Sequence, residues 1–117
     1  MLEINNHPDY IRINFIGTFS MEAARQTVDT ILETCTSKGQ LAVVLDCSSM
    51  TGKLSIMDRY RVILYGQKLI GKVSRLALVA DIKMVFPDRF AEMVAQNRGI
   101  NLKVFSDIEG AVHWITH

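Results

Sequence analysis

Apolar and polar positions change period several times along this chain, and each change marks an element. From Tyr10 to Ile16 they alternate: Ile11, Ile13 and Phe15 face one way, Tyr10, Arg12 and Asn14 the other. That is the pattern of a half-buried strand. Leu2 to Asn5 is a shorter strand candidate, and the turn Asn6-His7-Pro8-Asp9 pairs the two as a hairpin. Gly17 is expected to end the second strand. The period then lengthens. Ala24, Val28, Ile31, Leu32 and Cys35 recur at helical spacing, with Arg25, Asp29 and Glu33 off the stripe. Ser20 is placed to cap that helix, Glu22 sits in its first turn, and Lys38-Gly39 closes it.

An unbroken apolar run follows, Leu41 to Leu45, and it ends on Asp46. Such runs belong to parallel strands covered on both faces. Cys47, Ser48, Ser49, Thr51 and Gly52 read as a small-polar loop. Ser55 and Asp58 then have the spacing of a capping box and open a helix reaching about Ile70, closed by Gly71-Lys72. Apolar residues wrap nearly all the way round this helix. Val62, Leu64 and Tyr65 cannot all face the sheet that Ile56, Tyr60 and Ile63 face, so the helix is either buried on two sides or part of a contact surface.

Leu76 to Ala80 is a second continuous apolar strand, again ending on an acid, Asp81. Pro87-Asp88 starts a helix with Phe90, Ala91, Val94 and Ala95 on its buried face, and Asn97-Arg98-Gly99 stops it. Leu102, Val104 and Phe105 form a last short strand. Asp107 caps a final helix striped with Ile108, Ala111, Val112 and Ile115. Strands alternating with helices after an opening hairpin predict one α/β domain over residues 1–117, with a mostly parallel sheet.

Composition agrees with a folded domain: 49% of the residues are hydrophobic and 21% charged. A net charge of +1 does not advertise nucleic acid. The distribution is uneven, because Lys53, Arg59, Arg61, Lys68, Lys72 and Arg75 face one acid, Asp58, across residues 53–75. Charge clusters of this kind are mostly solvated helix faces, but this one suits an anionic group or an acidic protein. No apolar run approaches the roughly 20 residues of a membrane span. The start lacks a basic segment followed by an apolar one, so no signal peptide is read, and Cys35 and Cys47 are expected to be reduced thiols in a cytoplasmic protein.

Chemical signatures are sparse. Asp46 and Asp81 at two strand ends could hold Mg²⁺ for phosphoryl chemistry, but Lys83 is the one base near them and the acids stand singly. Otherwise each acid would accept hydrogen bonds from loop or helix-start amides. Thr51-Gly52-Lys53 lacks the earlier glycine and following hydroxyl of a phosphate-binding loop, and no G-x-G-x-x-G follows a strand. Ser48, Ser49 and Ser55 offer hydroxyls without a G-x-S-x-G elbow. His7, His113 and His117 do not suggest a triad, and Trp114 and the phenylalanines fall at core-facing spacing. No cofactor is expected.

The residues VVLD at Val43 to Asp46, the loop into a helix at Ser55, and FAEMVAQNRGINLKVFSDIEGAVHWI from Phe90 to Ile115 together resemble SpoIIAA-like, or STAS-like, domains. The likeness is to their small stand-alone branch, related to anti-sigma-factor antagonists and to cytosolic domains of sulfate transporters. It implies a SpoIIAA-like α/β fold, a sheet of about five strands with an N-terminal hairpin and four helices. It also implies a non-enzymatic regulatory or protein-interaction module. The antagonists carry an Asp-Ser-Ser-Gly type motif with a phosphorylated serine where this chain has Leu54-Ser55-Ile56-Met57-Asp58. The acid and the glycine are missing, so Ser55 is read as a helix cap.

The leading expectation is a homodimer through helix 55–70, with Ser48, Ser49, Thr51, Lys53, Ser55, Arg59, Arg61, Val62, Leu64, Tyr65 and Lys68 as partner or ligand surface. An alternative is binding of an apolar or amphiphilic, lipid-like small molecule. The third reading is the Mg²⁺-dependent chemistry at Asp46 and Asp81.

Overall fold

Five strands join in the order β1-β2-β3-β4-β5, so each strand lies beside the one before it in sequence. The computed structural model describes residues 1–39, 42–53, 55–81 and 92–117. β1 (Leu2–Asn6) and β2 (Ile11–Thr18) form the antiparallel hairpin; β3 (Ala42–Thr51), β4 (Arg75–Val79) and β5 (Leu102–Phe105) add to β2 in parallel. The helices are α1 (Met21–Lys38), α2 (Ile56–Gly66) with a 3₁₀ turn at Gln67–Leu69, α3 (residues 92–97) and α4 (Ile108–Thr116). The five-stranded, mostly parallel α/β fold expected from the sequence is therefore the fold observed.

Because strand order never reverses, right-handed crossovers put α1, α2 and α3 on the same face of the sheet. Their core joins Ile11, Ile13 and Val43 of the sheet to Val28, Ile31 and Cys35 of α1, Ile63 of α2 and Ala95 of α3. Among the described residues α4 is the helix on the other face, packing Ala111 and Ile115 on Val44, Ala77 and Val79. α4 contacts β3, β4 and β5, and Tyr10 packs against the same cluster.

Three expectations change. Gly17 does not end its strand: β2 continues through it to Thr18, and Gly17 adopts φ 131°, a conformation that side chains resist. The segment Cys47–Thr51 is not a loop. After a register shift between Asn14 and Ile16, Ile16, Gly17 and Thr18 pair with Ser49, Met50 and Thr51, so polar residues here form the exposed end of a strand. α2 leaves α-helical geometry after Gly66, tightening into a 3₁₀ turn that buries Leu69 and leaves Ile70 exposed. The Pro87-Asp88 helix start, with Phe90 and Ala91, lies outside the described residues, as do Lys83 and Leu54. No described helix is long and apolar enough to cross a membrane.

Candidate functional site

The first turn of α2 and the end of β3 are both exposed. Ser55 caps α2 as its spacing predicts. Its Oγ accepts from the Asp58 amide at 3.0 Å, and Asp58 Oδ2 accepts from the Ser55 amide at 3.3 Å. Arg61 Nη1 lies 3.9 Å from Asp58 Oδ1 on the following turn. Ile56 was placed against the sheet by its spacing, but it is 63% exposed, and Met57 beside it is 56% exposed. Ser49, Thr51 and Lys53, all exposed, lead into this turn. Thr51 Oγ1 meets Thr18 Oγ1 at 3.1 Å, and the Phe19 amide donates to the Thr51 carbonyl at 2.9 Å, which fastens the strand end.

Asp46 lies inside β3, on the α4 face, and is 7% exposed. Its Oδ1 accepts from both the amide (2.9 Å) and the hydroxyl (2.6 Å) of Ser48, and its Oδ2 accepts from Arg12 Nη2 at 2.9 Å. Arg12 Nε in turn donates to Asn14 Oδ1 at 2.9 Å. Burial pushes the Asp46 carboxyl up, but the bonds from Ser48 and Arg12 outweigh it and hold the group below its ordinary 3.8. Both carboxylate oxygens are thus engaged by the chain itself. The Ser48 amide is the expected kind of partner; Arg12 was not foreseen, although strand alternation already put it on this face. Asp81 stands exposed beyond β4, and the strand order has no reversal to make the crevice where open α/β sheets bind ligands. Among the described residues no three His, Cys, Asp or Glu side chains gather as metal ligands.

The remaining expected surface residues lie further along α2 and in its 3₁₀ turn. Tyr65 packs against the core and donates to both oxygens of Asp29 of α1, at 3.0 and 2.9 Å. Lys68 Nζ reaches Asp29 Oδ1 at 3.0 Å. Bonds from Lys68 and Tyr65 lower the Asp29 carboxyl from its ordinary value, and bonds to Asp29 and Tyr65 raise the Lys68 amine. These three residues clamp α2 to α1. Leu64 is half-buried, and Val62 and Arg59 face inward onto a cavity.

That cavity holds about 170 Å³ between the sheet and the three-helix layer. Phe19, Val28, Val62, Leu45, Leu78 and Ala95 are among its walls. Cys47 lines it, whereas Cys35 is packed into the core; both are buried, and burial pushes the Cys35 thiol up. No motif announces a cavity, since it consists of missing contacts.

Solved structures share this fold. An anti-sigma factor antagonist from Mycobacterium paratuberculosis aligns with a TM-score of 0.67 at 14% identity, over 100% of this chain and 94% of that one. An uncharacterized DUF3478-family protein with a SpoIIAA-like fold from Shewanella loihica PV-4 aligns at 0.63 with 18% identity, over 98% and 92%. The anti-sigma factor antagonist SpoIIAA in its unphosphorylated form aligns at 0.61 with 10% identity, over 99% and 96%. No curated protein matches the sequence. The SpoIIAA-like family pattern matches residues 10–116, and the chain belongs to that family.

Proposed function

We propose that this chain is a non-enzymatic regulatory module that works by binding protein, docking through the first turn of α2 and the β3 end beside it. The observation that carries this reading is the exposed pair Ile56 and Met57, in a stretch of chain whose other exposed residues include the polar or basic Ser49, Thr51, Lys53, Ser55 and Arg61. Exposed apolar side chains in a polar stretch suit a protein interface, whose core is apolar and whose rim is polar. Two structural neighbours are named as antagonists of anti-sigma factors, which are themselves proteins, and that supports a protein partner. Ser55 serves as the cap of α2 in this reading rather than as a phosphorylated switch.

A second copy of the chain is a partner always at hand, because a two-fold contact needs one self-complementary surface. The homodimer through helix 55–70 is therefore retained, with its centre moved from Val62, Leu64 and Tyr65, which the chain partly covers itself, to Ile56 and Met57. Sedimentation equilibrium at micromolar concentration tests it. A dimer is expected for the native chain and a monomer for Met57→Asp; a native monomer would refute self-association.

A second reading, uptake of an apolar or amphiphilic molecule, is favoured by the 170 Å³ cavity. The third, Mg²⁺ chemistry at Asp46 and Asp81, has no observation in its favour.

A further inference from the structure

We propose that the cavity between the sheet and α1, α2 and α3 is a binding site for a compact, uncharged apolar molecule the size of one or two fused aromatic rings. The proposal rests on the second reading above and narrows it to a ligand class.

Packing locates the site. On the α4 face the central strand residues Val44 and Ala77 are 0% exposed. On the opposite face Leu45 and Leu78 occupy the adjacent positions in the same strands, yet both retain solvent access. Three helices cover that face and seal it at Val43, but not at Leu45 and Leu78 nearer the carboxyl end. The lining residues that keep partial exposure include Phe19, Ala24, Met50, Arg59 and Val62. They belong to the start of α1, the end of β3 and the first half of α2, which sets the mouth at the carboxyl end of the sheet. The floor, made by Leu69, Ile100 and Leu102, is buried.

Chemistry selects the ligand. Apart from Thr27, Cys47 and Arg59, the described lining side chains are hydrocarbon or thioether. The Thr27 hydroxyl is already committed to the Ala23 carbonyl at 2.8 Å. A charged or strongly polar group drawn to the floor would lose its water without replacement partners. Size then narrows the class. An apolar void of about 150 Å³ stays dry and accepts benzene. A void of about 170 Å³ suits that scale and is too small for a diacyl lipid.

The test is a methyl-resolved NMR titration of the full chain with toluene and indole, and separately with decanoate. Toluene or indole is expected to give saturable shifts at Val28, Ile31, Leu45, Val62 and Ile63, leaving Val44, Ala111 and Ile115 of the opposite face unmoved. Ala95→Leu, which extends a side chain into the void, should weaken that binding about tenfold or more. If Ala95→Leu does not fold, Gly66→Ala takes its place: the new methyl meets Ile100 Cδ1 at 3.9 Å and narrows the same wall. Undiminished binding to a folded Ala95→Leu, or to Gly66→Ala in its stead, would overturn the location. Shifts with decanoate alone would overturn the compact class and leave uptake of an amphiphile standing. No shifts with any of the three would overturn both, leaving the cavity as slack packing.

Discussion

A carboxylate on a central strand can gather a ligand or be used up by its neighbours, and Asp46 is used up. Arg12 and Ser48 supply three hydrogen bonds to it in a site open to little water. Because the folded group titrates below its ordinary value, its stabilisation is complete above about pH 4 and is lost as pH falls through the lowered folded value. Arg12→Ala should cost about 1–3 kcal/mol at pH 7, since it leaves a buried carboxylate short of a partner. Urea melts of both proteins at pH 7 and pH 3 are the check. The gap between them should shrink at pH 3; a gap that stays constant would mean the ion pair contributes nothing. Ser55 carries a separate expectation: Ser55→Ala should lose about 0.5–2 kcal/mol, because the Asp58 amide loses the hydroxyl that caps it. Melts at neutral pH decide this, and an unchanged midpoint would remove the capping role.

Elements were legible wherever the signal was local. Alternation in residues 10–16, the stripe of α1, and the caps Ser20, Ser55 and Asp107 are each set by residues a few positions apart, and all are present. What depends on distant partners was not legible. The end of β3 is polar because it is exposed, so by composition it resembles a loop; only its pairing with the extended β2 makes it a strand. Ile56 fits the spacing of a buried face, yet the first turn of α2 leaves it in solvent, which periodicity cannot report. The Arg12–Asp46 and Asp29–Tyr65–Lys68 contacts likewise need a tertiary register. Hydrogen exchange probes the strand extension. The Phe19 amide, bonded to the Thr51 carbonyl, should exchange at least about a hundredfold more slowly than an unstructured amide. Exchange at the unstructured rate would show that the strand end does not persist.

Across the whole molecule, the progressive strand order explains the division of labour. It stacks three helices on one face, where their imperfect closure leaves the cavity, and leaves one helix for the other. It also removes the crevice that would have made Asp46 and Asp81 candidates for ligand chemistry. The exposed first turn of α2 is then the feature that best fits a working surface. Affinity capture from the native host addresses this directly, using as bait the native chain and the Ile56→Asp/Met57→Asp double variant in parallel. Quantitative mass spectrometry should find a protein, a second copy of the chain included, held by the native bait and depleted about tenfold or more on the variant, whose circular dichroism stays native. Equal recovery on both baits, or no protein specific to the native one, would show that the surface at Ile56 and Met57 is not where this protein works.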